Sequence, residues 1–122
     1  MVDNPLAFQF AALAGGFNIK LTQFKDIEMY GRGVSRLELP YFFELFDQLL
    51  KFDATNILAK IDCRTFVIAG DRDMLTPTSF QREMHETIKG SDFLLIPYGS
   101  HCCQLDFPDY LNLKLAEFLR KI

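Results

Sequence analysis

The sequence predicts an α/β fold built on parallel strands, and three observations carry that prediction. Two short, continuously apolar runs, residues 65–69 (Thr-Phe-Val-Ile-Ala) and 93–96 (Phe-Leu-Leu-Ile), read as strands buried on both faces. Between them, residues 79–88 place Phe80, Met84 and Ile88 at helical spacing to face a sheet, which makes the whole stretch one βαβ crossover. Each run also ends in polar residues: Gly70-Asp71-Arg72-Asp73 after the first, Pro97-Tyr98-Gly99-Ser100-His101 after the second.

Taken in order, the chain before these strands reads as helices. Asn4 can cap and Pro5 fits a first helical position, so a helix carries the apolar run 6–14 until Gly15-Gly16 stops it. A second, short helix is expected from Thr22 to Gly31, with Phe24, Ile27 and Tyr30 on one side. Residues 31–35 then read as a turn or loop. Pro40 opens the clearest helix of the first half, 40–52. Its Phe42, Leu45, Phe46, Leu49 and Leu50 form an apolar stripe that must be covered. Phe43 and Phe52 fall off that stripe, which suits a helix lying between a core and an apolar pocket; plain core packing is the other reading. Asp53 or Thr55 can cap a short helix carrying Ile57, Leu58 and Ile61. The composition shifts near residues 60–64 and divides the chain into a helical part, 1–62, and an α/β part, 63–122.

Lys89-Gly90 ends the crossover helix, and Ser91-Asp92 turns into the second strand. After His101 an irregular segment leads to Phe107-Pro108. Pro108 starts a last helix with Leu111, Leu115, Phe118, Leu119 and Ile122 on one face.

Composition narrows the function classes. The 122 residues are 49% hydrophobic and 24% charged, as in one globular domain, and thirteen Phe with no Trp give an aromatic interior. Net charge is −3 with scattered basic residues, which favours neither nucleic acid nor an anionic membrane. No apolar run approaches the roughly 20 residues that span a bilayer. The opening Met-Val-Asp-Asn-Pro has neither the basic region nor the apolar run of a signal peptide, so a cytoplasmic location is expected. Cys63, Cys102 and Cys103 are odd in number and two are adjacent, which is no disulfide framework and fits a reducing compartment. A metal site would have to recruit them with His101 and His85, but no pair has zinc-ligand spacing. They read instead as buried thiols, and neither metal nor cofactor is expected.

The strand ends carry the candidate chemistry. A right-handed crossover brings the C-terminal ends of parallel strands to one edge of the sheet, where ligands bind. Asp73 and His101 are therefore expected on neighbouring loops over one crevice. A carboxylate beside an imidazole holds its tautomer and stabilises the imidazolium, which would make His101 a general base. On spacing alone the two also read as ordinary solvated loop residues. His85, flanked by Met84 and Glu86 in mid-helix, reads as a surface residue. Two other motifs fail. Gly31-x-Gly33 has Arg36 where a dinucleotide loop needs glycine, and no β-run precedes it. The run 33–37, Gly-Val-Ser-Arg-Leu, lacks the second glycine and the feeding strand of a Gly-x-Ser-x-Gly elbow.

The combined pattern of 66–73 (Phe-Val-Ile-Ala-Gly-Asp-Arg-Asp), Leu75-Thr76-Pro77, 96–101 (Ile-Pro-Tyr-Gly-Ser-His) and Phe107-Pro108 resembles the C-terminal part of the α/β-hydrolase fold family. In that family a strand ending in Gly-x-x-Asp delivers the acid, the next strand ends in Gly-x-His, and a closing helix packs on the sheet. The family order is nucleophile, acid, histidine. The resemblance implies Asp73 as the acid and His101 as the base, with Asp71 on the variable position. Residues 1–62 resemble, more loosely, the tail of the helical cap that this family inserts before the acid-bearing strand.

The implied fold is a partial α/β-hydrolase fold: parallel β-strands with flanking helices at 63–122, preceded by a helical cap remnant at 1–62. The family's first strands, oxyanion-hole loop and nucleophile elbow are absent from this sequence, and Ser35, Ser79, Ser91 and Ser100 lack the strand–turn–helix setting. The implied activity is hydrolysis of an ester, thioester or related acyl bond in a small apolar substrate. It would use a nucleophile–His101–Asp73 triad whose nucleophile lies outside this chain, so the chain alone is expected to be inactive. The reading from another class is a non-catalytic assembly or binding domain. Two strands are too few for an independent sheet and leave open edges, so a homodimer or a complementing N-terminal half is the expected partner.

Overall fold

A computed structural model of the chain describes residues 16–34 and 38–122. The helix expected over 6–14 lies outside the described residues, as does Ser35. The elements run α1 (Phe24–Val34), α2 (Leu39–Lys51), α3 (Thr55–Leu58), β1 (Phe66–Gly70), α4 (Thr78–Thr87), β2 (Asp92–Ile96), α5 (Cys103–Asp106) and α6 (Pro108–Leu119).

The centre is the βαβ unit. β1 and β2 pair in parallel, Phe66 opposite Asp92 through Gly70 opposite Ile96, and Asp92 N–H extends the ladder to Thr65 O at 2.8 Å. Side chains alternate between the two faces of a strand, so Val67, Ala69, Phe93 and Leu95 share one face and Phe66, Ile68 and Leu94 the other. The His85 ring of α4 stacks on Phe93 with centroids 5.3 Å apart, and the Phe118 ring of α6 stacks on Phe66 at 5.0 Å. The two helices therefore cover opposite faces, giving the layered α/β arrangement that the two apolar runs predict. Ile96, at 1% exposure, is the most deeply buried large side chain among the described residues.

Several local expectations need correction. α1 continues through Gly31 and Gly33, where a loop was expected. A Cβ at either glycine would meet nothing within 4 Å, and Arg32 pairs with Glu28 one turn back at 2.8 Å. An exposed helix with such a pair tolerates glycines that cost about 1 kcal/mol each. Phe80 does not face the sheet; it is exposed on α4, and with Met84 it borders a crevice with Phe52 and Leu58 at the α3 side. Ile88 alone of that predicted trio is buried. His85 is half-buried rather than a surface residue. The segment after His101 is not irregular throughout, because α5 forms within it. Cys102 and Cys103 are buried, but Cys63 is exposed.

The helix at 40–52 forms as α2, yet its apolar stripe is uncovered by the described chain. Leu50 is 73% exposed and Phe52 72%, and Phe43, Leu45 and Leu49 are exposed as well. Phe42 packs only locally, with centroids 6.2 Å from Phe46 and 5.8 Å from Phe43. Neither Asp53 nor Thr55 is the cap of α3: Ala54 holds that position without a side-chain bond, and Asp53 Oδ1 accepts Thr55 N–H at 2.8 Å in the turn just before it. In α6 only Phe118 of the predicted face is buried, whereas Leu119 and Ile122 remain exposed. No helix among the described residues is long and apolar enough to cross a membrane.

The segment before α1 packs far along the chain. Phe17 and Ile27 form a buried cluster with Cys102, and Leu105 packs against it. Beside this cluster, buried Thr22 donates its hydroxyl to Asp106 Oδ1 at 2.5 Å. The Asp106 carboxylate also accepts Ser100 N–H at 2.6 Å. α1 and α5 are thus tied through one apolar and one polar contact to the loop that carries His101.

Candidate functional site

Both strands end where their loops touch backbone to backbone. Asp71 N–H donates to Ile96 O at 3.1 Å and Arg72 N–H to Gly99 O at 2.9 Å, so pairing continues past the sheet. A Cβ at Gly70 would lie 2.4 Å from both Gly99 O and Ser100 O. Only glycine permits this approach. Tyr98 adopts φ 63° and turns the chain after β2; its carbonyl accepts Asn18 Nδ2–H at 3.2 Å. Gly70→Ala is expected to destabilise the fold by about 1–3 kcal/mol, because backbone must move rather than a flexible side chain. Thermal unfolding measures this, and an unchanged midpoint would show that the loops are not so closely apposed.

This stitching sets Asp73 beside His101. His101 Nδ1 lies 3.0 Å from Asp73 Oδ2, with the Asp73 side chain 5% exposed and that of His101 40%. Asp73 Oδ1 accepts the N–H groups of Leu75 and Thr76, each at 2.9 Å, and Oδ2 also accepts the Thr76 hydroxyl at 2.7 Å. Burial pushes the Asp73 carboxyl up, but the bonds from Thr76, His101 and Leu75 outweigh it and hold the group below the usual aspartate value. An ionised carboxylate only accepts, so the bridging proton sits on His101 Nδ1, and in the neutral tautomer Nε2 keeps its lone pair. Asp71 is exposed and stands outside this network.

On the other side, Gly16, at φ 74°, abuts the histidine: a Cβ there would fall 2.6 Å from His101 Cβ. Cys102 and Cys103 follow directly, and burial, with Asp106 and Asp73 nearby, pushes both thiols up, away from the thiolate form. A cleft of about 630 Å³ opens beside the His101 loop, walled by Phe17, Ile19, Leu21 and Phe107 together with Arg72 and Tyr98.

Among the described residues no serine is set up as a nucleophile beside His101. Ser100 is buried and its Oγ accepts Cys102 N–H at 3.2 Å. Ser79 lies exposed in the first turn of α4. Ser91 sits 2.8 Å from His85 Nδ1, but its hydroxyl donates to His85 O at 3.0 Å. Its proton therefore points at a carbonyl, the imidazole is the donor in that contact, and the serine is not activated. That pair also stands at the opposite end of β2 from His101. Among the described residues no group of three or more His, Cys, Asp or Glu is arranged to hold a metal ion.

Three participants escaped the reading of the sequence. Thr76 shows a partial signal, since a polar residue three positions after an aspartate is where a backbone N–H meets the side-chain oxygen. Gln81 reaches back five residues to Thr76 from the first turn of α4, and Asp106 reaches across the fold to Thr22; neither carries a local signature.

No protein-family model matches the chain. The chain is 28% identical over 74 residues to RutD of Escherichia coli K12, a protein named for carbamate hydrolysis, covering 61% of this chain and 28% of that protein. RutD of Shigella flexneri matches with the same figures. Among solved structures, a thermophilic esterase from Thermogutta terrifontis, with malate bound, superposes with a TM-score of 0.53 at 31% identity, covering 57% of this chain and 25% of the esterase. The chain thus spans only about a quarter of the length of these proteins. The parallel strand pair, its flanking helices and this structural likeness make the described fold a partial α/β-hydrolase fold, related to these hydrolases.

Proposed function

We propose that this chain is the C-terminal portion of an α/β-hydrolase that cleaves an ester, thioester or related acyl bond, with His101 as general base and Asp73 as its orienting acid. The observation that carries this reading is the 3.0 Å contact between Asp73 Oδ2 and His101 Nδ1 at adjoining parallel-strand ends. The names of the related proteins, an esterase and a carbamate hydrolase, support chemistry at an acyl carbon. In this reading His101 Nε2 takes the proton of a nucleophile supplied from outside these 122 residues as that nucleophile adds to the carbonyl carbon. The imidazolium so formed is stabilised by the Asp73 carboxylate and then protonates the leaving group. Water repeats the sequence to release the acid. The apolar walls of the neighbouring cleft favour an apolar acyl group.

The test is hydrolysis of short p-nitrophenyl esters. The 122-residue chain alone is expected to be inactive, and the product of the upstream coding sequence fused to it is expected to be active and to lose activity with His101→Ala. Turnover by the isolated chain that His101→Ala abolishes would overturn the external nucleophile. An inactive longer product with no elbow encoded upstream would overturn the hydrolase reading.

Two observations favour a second reading, a non-catalytic assembly domain. Among the described residues β1 and β2 each leave one edge without a strand partner, and nothing covers the apolar stripe of α2. An assembly domain of this kind forms a concentration-dependent oligomer and gains no activity from the upstream sequence. Sedimentation beside the ester assay separates the two.

A further inference from the structure

We infer that Thr76 and Gln81 are positioning residues for His101, fixing its ring plane and tautomer through a hydrogen-bond fork. The inference rests on reading Asp73 and His101 as the acid–base pair. Asp73 has its acceptor directions filled: Leu75 and Thr76 N–H on Oδ1, the Thr76 hydroxyl and His101 Nδ1 on Oδ2. The Thr76 hydroxyl has one proton and two lone pairs. A carboxylate cannot donate, so that proton goes to Asp73. The lone pairs then face Gln81 Nε2–H at 3.1 Å and His101 Nδ1 at 3.2 Å. The Nδ1 proton therefore lies between two acceptors, Asp73 Oδ2 and Thr76 Oγ1. A single contact would let the ring pivot about it; two do not.

Gln81 shows that this orientation is maintained at a cost. Its amide nitrogen also donates to Thr76 O at 3.1 Å, and a carbonyl only accepts, which fixes the amide with nitrogen toward Thr76. Gln81 Oε1 is then buried without a hydrogen-bond partner among the described residues. Orphaned buried acceptors disfavour folding, and an apolar side chain of the same length would remove this one at the expense of the donor to Thr76 O. What glutamine adds over leucine or methionine here is the hold on Thr76. That is the pattern expected where local stability is given up at a functional site.

Long-range ¹H–¹⁵N spectra of the 122-residue chain above neutral pH report which ring nitrogen of His101 holds the proton, with no turnover required. The wild type and Thr76→Ser are expected to show Nδ1–H. Thr76→Val is expected to lower the Nδ1–H to Nε2–H ratio about tenfold, the value of one lost hydrogen bond. Gln81→Leu should shift the ratio in the same direction while its thermal midpoint stays close to that of the wild type, the lost orphan and the lost donor offsetting each other. An unchanged ratio in Thr76→Val, or a Gln81→Leu chain that melts earlier with its ratio unchanged, overturns the inference; if Thr76→Val does not fold, Gln81→Leu and Thr76→Ser still decide it. The hydrolase reading fails separately, in the ester assay.

Discussion

Asp73→Asn, introduced into a hydrolase that contains this chain, is expected to lower kcat by about three to four orders of magnitude, and Asp71→Asn to change it only a few-fold. The reason lies in the donors around Asp73. Leu75 and Thr76 direct two N–H groups at Oδ1, so an asparagine must place its oxygen there. Its NH₂ group then occupies the position of Oδ2, facing His101 Nδ1, and donates to it. The proton of a neutral His101 is forced onto Nε2, the nitrogen that must accept from the nucleophile. Shape is kept and the base is lost. Asp71 is exposed and outside the network, so its amide changes neither tautomer nor ring position. Steady-state kinetics on a short p-nitrophenyl ester measure both variants. Equal losses would overturn the choice of Asp73 over Asp71.

The contacts that sequence reading recovered are those that period and strand topology determine. Two apolar runs and a crossover of suitable length require a parallel pair, and a parallel pair places the residues after Gly70 and after Ile96 on one edge. The adjacency of Asp73 and His101 follows from that alone. Contacts made by a single side chain across the fold were not legible. Helical spacing put Phe80, Met84 and Ile88 on one face but could not show that Phe80 would turn to Phe52 and Leu58. His85 looked solvated because nothing local announces its contacts with Ser91 and Phe93. Asp106 sits in a segment without periodicity; its partner Ser100 lies close in sequence, but Thr22 comes from far along the chain. α2 shows the converse limit: its apolar stripe was legible, but what covers it is not among the described residues.

Phe118→Ala is the substitution expected to cost the fold most, about 3–5 kcal/mol. The Phe118 ring is 8% exposed, lies nearly parallel to Phe66 with centroids 5.0 Å apart, and has the Arg64 guanidinium 5.8 Å from its centroid. On the same helix Leu115 and Leu119 are 38% and 58% exposed. Phe118 is therefore the one buried side chain by which the described α6 meets the Phe66 face of the sheet. Its removal leaves a cavity against β1 that Leu115 and Leu119 cannot fill, because both lie on the solvent side of the contact. A domain of this size is stable by about 5–15 kcal/mol, so the loss is a large fraction of the margin. Leu119→Ala, which deletes an exposed side chain, should change stability by only about 0.5 kcal/mol. Denaturant unfolding at fixed protein concentration compares the two, with the slope reporting whether α6 still unfolds with the sheet. Similar midpoints for Phe118→Ala and Leu119→Ala would mean that α6 is peripheral and that β1 is covered on that face by something other than this ring.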